Sequence, residues 1–391
     1  MTLDDLTEFA RTKVPFYGEV SSFEQCPIVS KRIILGDIDR FIARDAPRRA
    51  ELLQFLRSET KDGVSEIDWG NGIVVEQTSG SSGIPFRIPK WKADRVQTSG
   101  AIWRFRKMID SDAAPTRLYA AIHAPSDATR FPWVSLFGAL QAQQIRWIHA
   151  NPSILAEMAS RARRAADRPS SLKFAESSGQ YLAPDVWRET EAALQVRVVD
   201  QYGCREVSAI GYATEPNRFQ LMRENAHVEL LNAEGEPIQK PGIPGRVVVT
   251  SLHNRLMPFL RYDTGDEAEW VDGNGTRVLA LRPFRPHHLI VGSKSVYGNS
   301  LFKGLLVAVY HRLGYPPISR LRVRQASRTR FVIETDAREN AEPVRACLEH
   351  LFNTTRTLPQ PAVFAIAPID GMQDFAPTES KVDLFTNVGC H

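Results

Sequence analysis

Residues 171–200 read SLKFAESSGQYLAPDVWRETEAALQVRVVD. The run Ser171-Leu172-Lys173-Phe174-Ala175 predicts a strand, Pro184 to Ala193 a helix, and Val196-Arg197-Val198-Val199-Asp200 a second strand. Strand, helix and strand in one stretch predict an α/β fold whose sheet is at least partly parallel. The alternation extends upstream. Gly72-Ile73-Val74-Val75-Glu76 reads as a short buried strand, Trp91 to Met108 as a helix, and Leu118-Tyr119-Ala120-Ala121-Ile122 as a strand. Pro152 to Ala166 reads as a helix with its proline in the first turn. The chain before these elements reads as short helices, with Leu3, Leu6, Phe9 and then Leu52, Leu53, Leu56 at helical spacing. From His227 the pattern turns β-rich. Val228-Glu229-Leu230-Leu231, Gly245 to Thr250 and Ala268-Glu269-Trp270-Val271 are strands, with hairpin turns expected at Ala233-Glu234-Gly235-Glu236 and Asp272-Gly273-Asn274-Gly275.

Composition narrows the class. A chain of 391 residues predicts two to three domains. With 43% apolar and 24% charged residues it is neither disordered, coiled-coil nor collagen-like. No internal period supports a solenoid or propeller. A net charge of +4 is too small to argue for nucleic acid or a membrane surface. Cys26, Cys204, Cys347 and Cys390 are far apart and form no metal or redox motif. The N-terminal MTLDDLTEFARTK lacks an apolar core segment, so no signal peptide is read there, and no run is long and apolar enough to span a membrane. A cytoplasmic location is expected. The boundary is expected at Arg282-Pro283-Phe284-Arg285-Pro286, where two prolines bracket a stiff linker. That gives a large domain over 1–281, a hinge over 282–286 and a small domain over 287–391. In the small domain, Leu289-Ile290-Val291, a helix from Ser300 to Leu313, the strands Leu321 to Val323 and Arg330 to Glu334, a helix from Ala341 to Phe352 and a strand from Ala362 to Ile366 spell βαββαβ, an α+β arrangement.

The segment Glu76-Gln77-Thr78-Ser79-Gly80-Ser81-Ser82-Gly83-Ile84-Pro85 carries the strongest chemical signal. Glycines let a backbone turn tightly and approach an anion, and hydroxyls with backbone N–H groups surround phosphate oxygens. No Lys-Ser/Thr follows Gly83, so it is not a Walker loop, and no GxGxxG is present. By composition alone it also reads as a flexible Ser/Gly linker. Its company favours phosphate. Asp200-Gln201-Tyr202-Gly203-Cys204-Arg205-Glu206 lies just past a predicted strand end, Leu260-Arg261-Tyr262-Asp263-Thr264-Gly265-Asp266 follows, and Pro377-Thr378-Glu379-Ser380-Lys381-Val382 stands near the C-terminus.

Together these residues resemble the adenylate-forming superfamily of acyl-CoA synthetases, and within it the phenylacetate–CoA ligase-like branch. The family's phosphate loop, approximately TSGTTGxP, is matched by Thr78 to Pro85. Its Y-G-x-x-E element is matched by Tyr202 to Glu206 and its R-Y-x-T-G-D element by Arg261 to Asp266. Val14-Pro15-Phe16-Tyr17, Pro27 to Lys31 and the stretch from Pro241 to Leu252 are also similar, so the likeness spans nearly the whole chain.

The resemblance implies an ATP-dependent, AMP-forming acid–thiol ligase. A carboxylate attacks the α-phosphate of ATP, pyrophosphate leaves, and a thiol displaces AMP from the acyl-adenylate. The implied cofactors are ATP, Mg²⁺ and coenzyme A or carrier-protein phosphopantetheine. Thr78, Ser79, Gly80, Ser81, Ser82 and Gly83 would hold the β- and γ-phosphates, with Thr78 among the catalytic residues. Glu206 would be the Mg²⁺ ligand, Tyr202 would stack on adenine with Gly203 also at the nucleotide, and Asp266 would accept hydrogen bonds from both ribose hydroxyls. Lys381 would be the catalytic lysine, a compact charge for the carboxylate and the α-phosphate. Either Arg282 or Arg285 fills the arginine role at the hinge.

The sequence departs from the family at that hinge. Its aspartate is absent, with His287 and His288 near its place, and Ser380 replaces the glycine before Lys381. Adjacent histidines face different ways on a strand, so no metal site is read there. His227 and Glu229 share one strand face and read as a structural hydrogen-bonded pair. Arg161 to Arg164 reads as a solvated helix face. Arg320, Arg322, Arg324, Arg328 and Arg330 read as a solvent face or as a dock for an acidic carrier protein or the phosphates of coenzyme A. The expected partner is an apolar, aromatic carboxylic acid, with Trp103, Phe105, Phe131, Trp133 and Phe137 as candidate pocket residues. The alternatives are transfer to an acyl carrier protein or an amine, or a degenerate nucleotide binder. The oligomeric state is open, a homodimer included. No GxSxG or HExxH supports a hydrolase or a zincin.

Overall fold

The computed structural model of the chain describes residues 2–58, 66–78, 86–113, 119–122, 135–165, 168–179, 181–273, 275–282, 289–291, 296–298, 309, 313, 321–327, 329–335, 338–355, 361–368 and 385–387. The described residues fall into two compact units, one within Met1–Glu59, Ser65–Thr78 and Phe86–Arg282, the other within Pro283–His391.

The first unit opens with α1 (Leu3–Lys13), α2 (Lys31–Gly36), α3 (Ile38–Phe41) and α4 (Arg49–Arg57). A capping box starts α1. Thr2 Oγ1 accepts the Asp5 N–H at 3.1 Å while the Asp5 carboxylate accepts the Thr2 N–H at 3.0 Å. Its apolar stripe buries Leu6 and Ala10 in the main core. A three-stranded antiparallel sheet follows, β1 (Glu66–Gly70), β2 (Ile73–Gln77) and β3 (Arg87–Trp91), and leads into α5 (Lys92–Ile109).

Next come β4 (Tyr119–Ile122), α6 (Leu136–Ala142), β5 (Trp147–Ala150), α7 (Pro152–Ala165), β6 (Phe174–Ser178), α8 (Pro184–Leu194) and β7 (Arg197–Cys204). The four strands are parallel and in register, with His149 beside Glu176 and Ser177 beside Asp200. Each run starts on a local signal. The Asn151 side chain caps α7 by accepting the Ile154 N–H at 3.0 Å, and Pro184 opens α8 in the position that needs no donor. Leu155 and Met158 of α7 and Trp187 of α8 bury against Ile148, Ala175 and Val198, which lie on one face of the sheet. Helix α5 covers the opposite face, where Trp147, Phe174 and Val199 meet Trp103.

The strand β8 (Ser208–Ala213) turns the sheet antiparallel, followed by β9 (Phe219–Leu221), β10 (Ala226–Leu231), β11 (Pro244–Ser251), β12 (Tyr262–Gly273) and β13 (Thr276–Leu281). The sequence reads as a β-rich subdomain of the large domain from His227 onward. These strands continue the same ten-stranded sheet, in the order β10-β11-β12-β13-β9-β8-β7-β6-β5-β4, through the single pair Leu279 and Phe219. Two strand limits differ from the sequence reading in ways that matter for chemistry. β6 runs on to Ser178 because Glu176, a charge inside a buried strand, is neutralised by Arg106 of α5. β7 runs through Cys204 rather than stopping at Asp200, so Tyr202 and Gly203 lie on a strand and not past its end.

In the second unit β14 (Leu289–Val291) pairs antiparallel with β15 (Val296–Gly298). A four-stranded sheet is built from β16 (Leu321–Ser327), β17 (Arg330–Thr335), β18 (Val363–Ala367) and β19 (Phe385–Asn387), in the order β18-β17-β16-β19. The βαββαβ reading seats the first strand in this sheet; the place beside β16 is held by β19. Helix α9 (Arg338–Thr355) buries Val344, Leu348 and Phe352, and Phe331 stacks on Phe364 at 4.8 Å beneath it. The expected helix from Ser300 to Leu313 lies largely outside the described residues.

Candidate active site

Three motifs far apart in the chain meet in the first unit. The first is the stem of the Ser/Gly segment. Thr78 and Phe86 close it with two bonds: the Thr78 N–H donates to the Phe86 carbonyl at 2.8 Å, and Thr78 Oγ1 accepts the Phe86 N–H at 2.9 Å. Below them Gln77 faces Arg87 and Glu76 faces Ile88 in the β2–β3 ladder. Ser79, Gly80, Ser81, Ser82 and Gly83 lie outside the described residues. The arginine next to the closing pair serves the fold. The buried Arg87 donates to the Phe55 and Ser58 carbonyls at the end of α4.

The second motif is the β7–β8 hairpin. Cys204 pairs with Ser208, and Arg205, Glu206 and Val207 form its three-residue tip, with Ser208 in a left-handed conformation at φ 70°. A bulge between Tyr202 and Gly203 lets the two strands close tightly. A Cβ at Gly203 would stand 2.3 Å from the Ser208 carbonyl oxygen, so only glycine fits. Glu206 is buried at the tip and its Oε1 accepts the Tyr262 hydroxyl at 2.9 Å.

The third motif is a bulge inside β12, where the sequence alone reads a turn. Val248 pairs with Asp263 and Arg246 with Glu267, so Thr264, Gly265 and Asp266 together stand opposite Val247. Gly265 takes φ 74°, its N–H donates to Asp263 Oδ1 at 2.8 Å, and the Asp266 N–H donates to Thr264 Oγ1 at 3.1 Å. The half-exposed Asp266 carboxylate projects from this bulge and accepts the Tyr202 hydroxyl at 2.9 Å. Burial, reinforced by the Asp266 charge, pushes the Tyr202 phenol well above its usual range, so Tyr202 remains a donor. Its ring is packed edge-on against Phe219 at 5.9 Å. Arg261, at φ 47°, is held by both oxygens of Glu229 at 3.2 Å and by the Cys26 carbonyl. Arg261 is therefore an anchor, and the partner of Glu229 is Arg261 rather than His227, which packs on Phe23 at 5.5 Å.

The sequence reading missed two charged groups. Lys90 of β3 is buried and donates to Glu76 Oε2 at 3.0 Å and to the Arg205 carbonyl at 2.6 Å. Four buried strand residues in a row, Arg87 to Lys90, are the signal that this lysine has partners. The second group is the Glu176–Arg106 pair, joined at 2.7 and 2.6 Å beneath Tyr212, whose hydroxyl donates to Glu176 at 2.9 Å. Burial pushes the Glu176 carboxyl up, but the Arg106 guanidinium outweighs it and holds the group below the carboxylate range. His149 Nε2 and Ser178 Oγ meet at 2.6 Å near the carboxyl ends of β5 and β6, on that same face. On the other face, burial pushes Asp200 up to about 8, and its Oδ1 has no hydrogen bond among the described residues.

Arg282 is exposed and lies 4.0 Å from Glu269; Arg285 and Lys381 lie outside the described residues. Of the expected pocket residues, Trp103 and Phe105 are packed against Tyr119 and Tyr212, while Phe131 and Trp133 lie outside the described residues. Of the expected docking arginines, Arg330 is exposed, Arg322 and Arg324 alternate along β16, and Arg320 and Arg328 lie outside. Among the described residues no three metal-ligating side chains cluster, and no helix is long and apolar enough to cross a membrane.

Residues 114–255 match the family model for AMP-binding enzymes. A 2-hydroxyisobutyryl-CoA ligase in its postadenylation state, bound to 2-HIB-AMP, superimposes with a TM-score of 0.59 at 16% identity, over 99% of this chain and 88% of that one. The chain has the adenylate-forming fold. The same ligase in its thioesterification state, with 2-HIB-AMP and CoA, gives a TM-score of 0.55 at 16% identity over 98% and 88% of the two chains. Its open conformation gives 0.53 at 17% identity over 94% and 87%. No curated protein matches the chain. Within the adenylate-forming fold, the family match takes in the β7–β8 hairpin with Glu206, while the stem at Thr78 and the bulge at Asp266 lie beyond its two ends.

Proposed function

We propose that the chain is an ATP-dependent ligase that activates a carboxylic acid as its acyl-adenylate and passes it to a thiol. The observation that carries this reading is the meeting of Asp266, Tyr202, Glu206 and Tyr262, joined in two hydrogen-bonded pairs at 2.9 Å. It sets one half-exposed carboxylate for a diol beside one buried carboxylate for a cation. Asp266 keeps acceptor capacity for ribose hydroxyls.

A single carboxylate fits Mg²⁺, which keeps its waters and takes most of its remaining ligands from nucleotide phosphates. Glu206 would supply that protein oxygen, with the Tyr262 hydroxyl fixing which oxygen turns outward. The bound metal ion would neutralise phosphate charge during displacement. Residues 79–83, which follow directly on the Thr78–Phe86 stem, are proposed to hold the β- and γ-phosphates. Lys381 is proposed to meet the substrate carboxylate and α-phosphate, and Arg282 or Arg285 the ribose and phosphates. Two domains, 1–281 and 287–391, with a hinge at 282–286, are proposed to handle the two half-reactions.

The thiol is proposed to be coenzyme A or a carrier-bound phosphopantetheine, supported by CoA in the complexes of the structurally similar ligase. The acid is proposed to be apolar and aromatic, on the likeness to the phenylacetate–CoA ligase-like branch. A cytoplasmic location fits the free thiols of Cys26, Cys204 and Cys347. An acid-by-acceptor matrix, with coenzyme A and phosphopantetheinyl carrier protein side by side and read by mass spectrometry, tests the proposal. It predicts one thioester series dependent on ATP. Adenylate without any thioester would reassign the second step to another acceptor.

A further inference from the structure

We propose that Lys90 is a positioning residue that ties the stem of the phosphate loop to the hairpin tip bearing Glu206. The inference rests on the nucleotide-binding reading above. Lys90 is buried, and its ammonium has two strong acceptors on separate elements: Glu76, two residues before Thr78 in β2, and the carbonyl of Arg205, the residue before Glu206. An ammonium removed from water must be compensated, and here the compensation spans the two elements. Glu76 is itself held from the other side, since Arg95 Nε lies 3.2 Å from its Oε1 and Arg95 also reaches Glu66 at 2.6 Å. The stem end of the tie is thus rigid, and the 2.6 Å contact transmits that rigidity to the Glu206 backbone. The carboxylate is fixed separately by Tyr262. Glu206 would hold Mg²⁺ together with nucleotide phosphates, and because Mg²⁺ tolerates little distortion of its ligand geometry, the placing of the hairpin tip relative to the Thr78 stem would matter for its affinity. Lys90 would set that distance through Glu76 and the Arg205 backbone.

The arrangement makes the test clean. In Lys90→Met, Glu76 keeps Arg95, so the substitution cuts the contact to Arg205 without stranding a buried carboxylate. The charge-balanced pair Glu76→Gln/Lys90→Met is the second variant, should the first fold poorly. Calorimetric titration of ATP binding against Mg²⁺ reads the half-saturating Mg²⁺ concentration directly. Either folded variant is expected to need about tenfold more Mg²⁺, with ATP binding in EDTA unchanged and with Lys90→Arg close to the parent. A half-saturating concentration within twofold of the parent's overturns the inference. A parent that binds no MgATP overturns the nucleotide reading and this inference together. A parent that binds MgATP but never adenylates an acid overturns the ligase reading alone.

Discussion

Tyr262 is buried and donates its hydroxyl to Glu206, a bond that phenylalanine cannot make. Tyr262→Phe is expected to lose about ten- to a hundredfold in kcat for pyrophosphate exchange, the size of one hydrogen bond to a charged group at roughly 1.5–3 kcal/mol. KM for the acid should hold, and steady-state kinetics with a melting curve separates this from unfolding. Asp200 makes a different prediction. Its folded carboxyl titrates near 8, far above an ordinary aspartate, so on raising the pH the unfolded chain loses this proton first. Stability contributed by the protonated group is therefore present at low pH and declines from about pH 4 to pH 8. Asp200→Asn, which needs no proton, should raise the melting temperature more at pH 8 than at pH 5. An equal shift at both would place the buried charge elsewhere. Lys90 shows why single residues hide from a sequence. A lysine between Pro89 and Trp91 reads as a solvated charge, and its decisive partner lies 115 residues away.

Among the elements, the β7–β8 hairpin and the β12 bulge were legible as motifs but not as shapes. Tyr202 to Glu206 looks like chain beyond a strand because glycine has little strand preference, yet Gly203 is the residue that lets β7 and β8 close. Gly203→Ala forces a Cβ onto the Ser208 carbonyl, and overpacking of this kind costs about 1–3 kcal/mol. Because the strain falls at the base of the Glu206 tip, activity should fall further than the melting temperature implies. Thr264 to Asp266 looks like a turn because the partner that makes it a bulge, Val247, comes from another strand. Helix α5 carries the other element-scale test. Arg106→Met leaves Glu176 buried without its guanidinium, which costs about 3–5 kcal/mol, whereas removal of both charges in Arg106→Met/Glu176→Leu should recover much of that. Urea denaturation of the two variants measures the difference. Glu176 escaped the strand reading, which stopped at Ala175, because a carboxylate in a parallel strand makes sense only once α5 is laid over it.

At the scale of the whole molecule, the alternation over 171–200 was enough for the α/β class, since hydrophobic period and helix-start signals are local. What lay beyond it was the joining of the β-rich segment to the same sheet and the seating of β19 beside β16, both pairings between distant segments. MgATP binding to the folded chain alone should raise its melting temperature by mass action, about 2.7 kcal/mol at a hundred times Kd. The shift should be smaller for Asp266→Ala, which loses the carboxylate proposed for the ribose. The most direct measurement of the central claim is acid-dependent exchange of labelled pyrophosphate into ATP across a panel of benzoates, phenylacetates and fatty acids. The account predicts exchange that needs both Mg²⁺ and one class of acid and that drops at least tenfold in Asp266→Ala. Exchange absent with every acid, from a folded protein that binds MgATP, would contradict it.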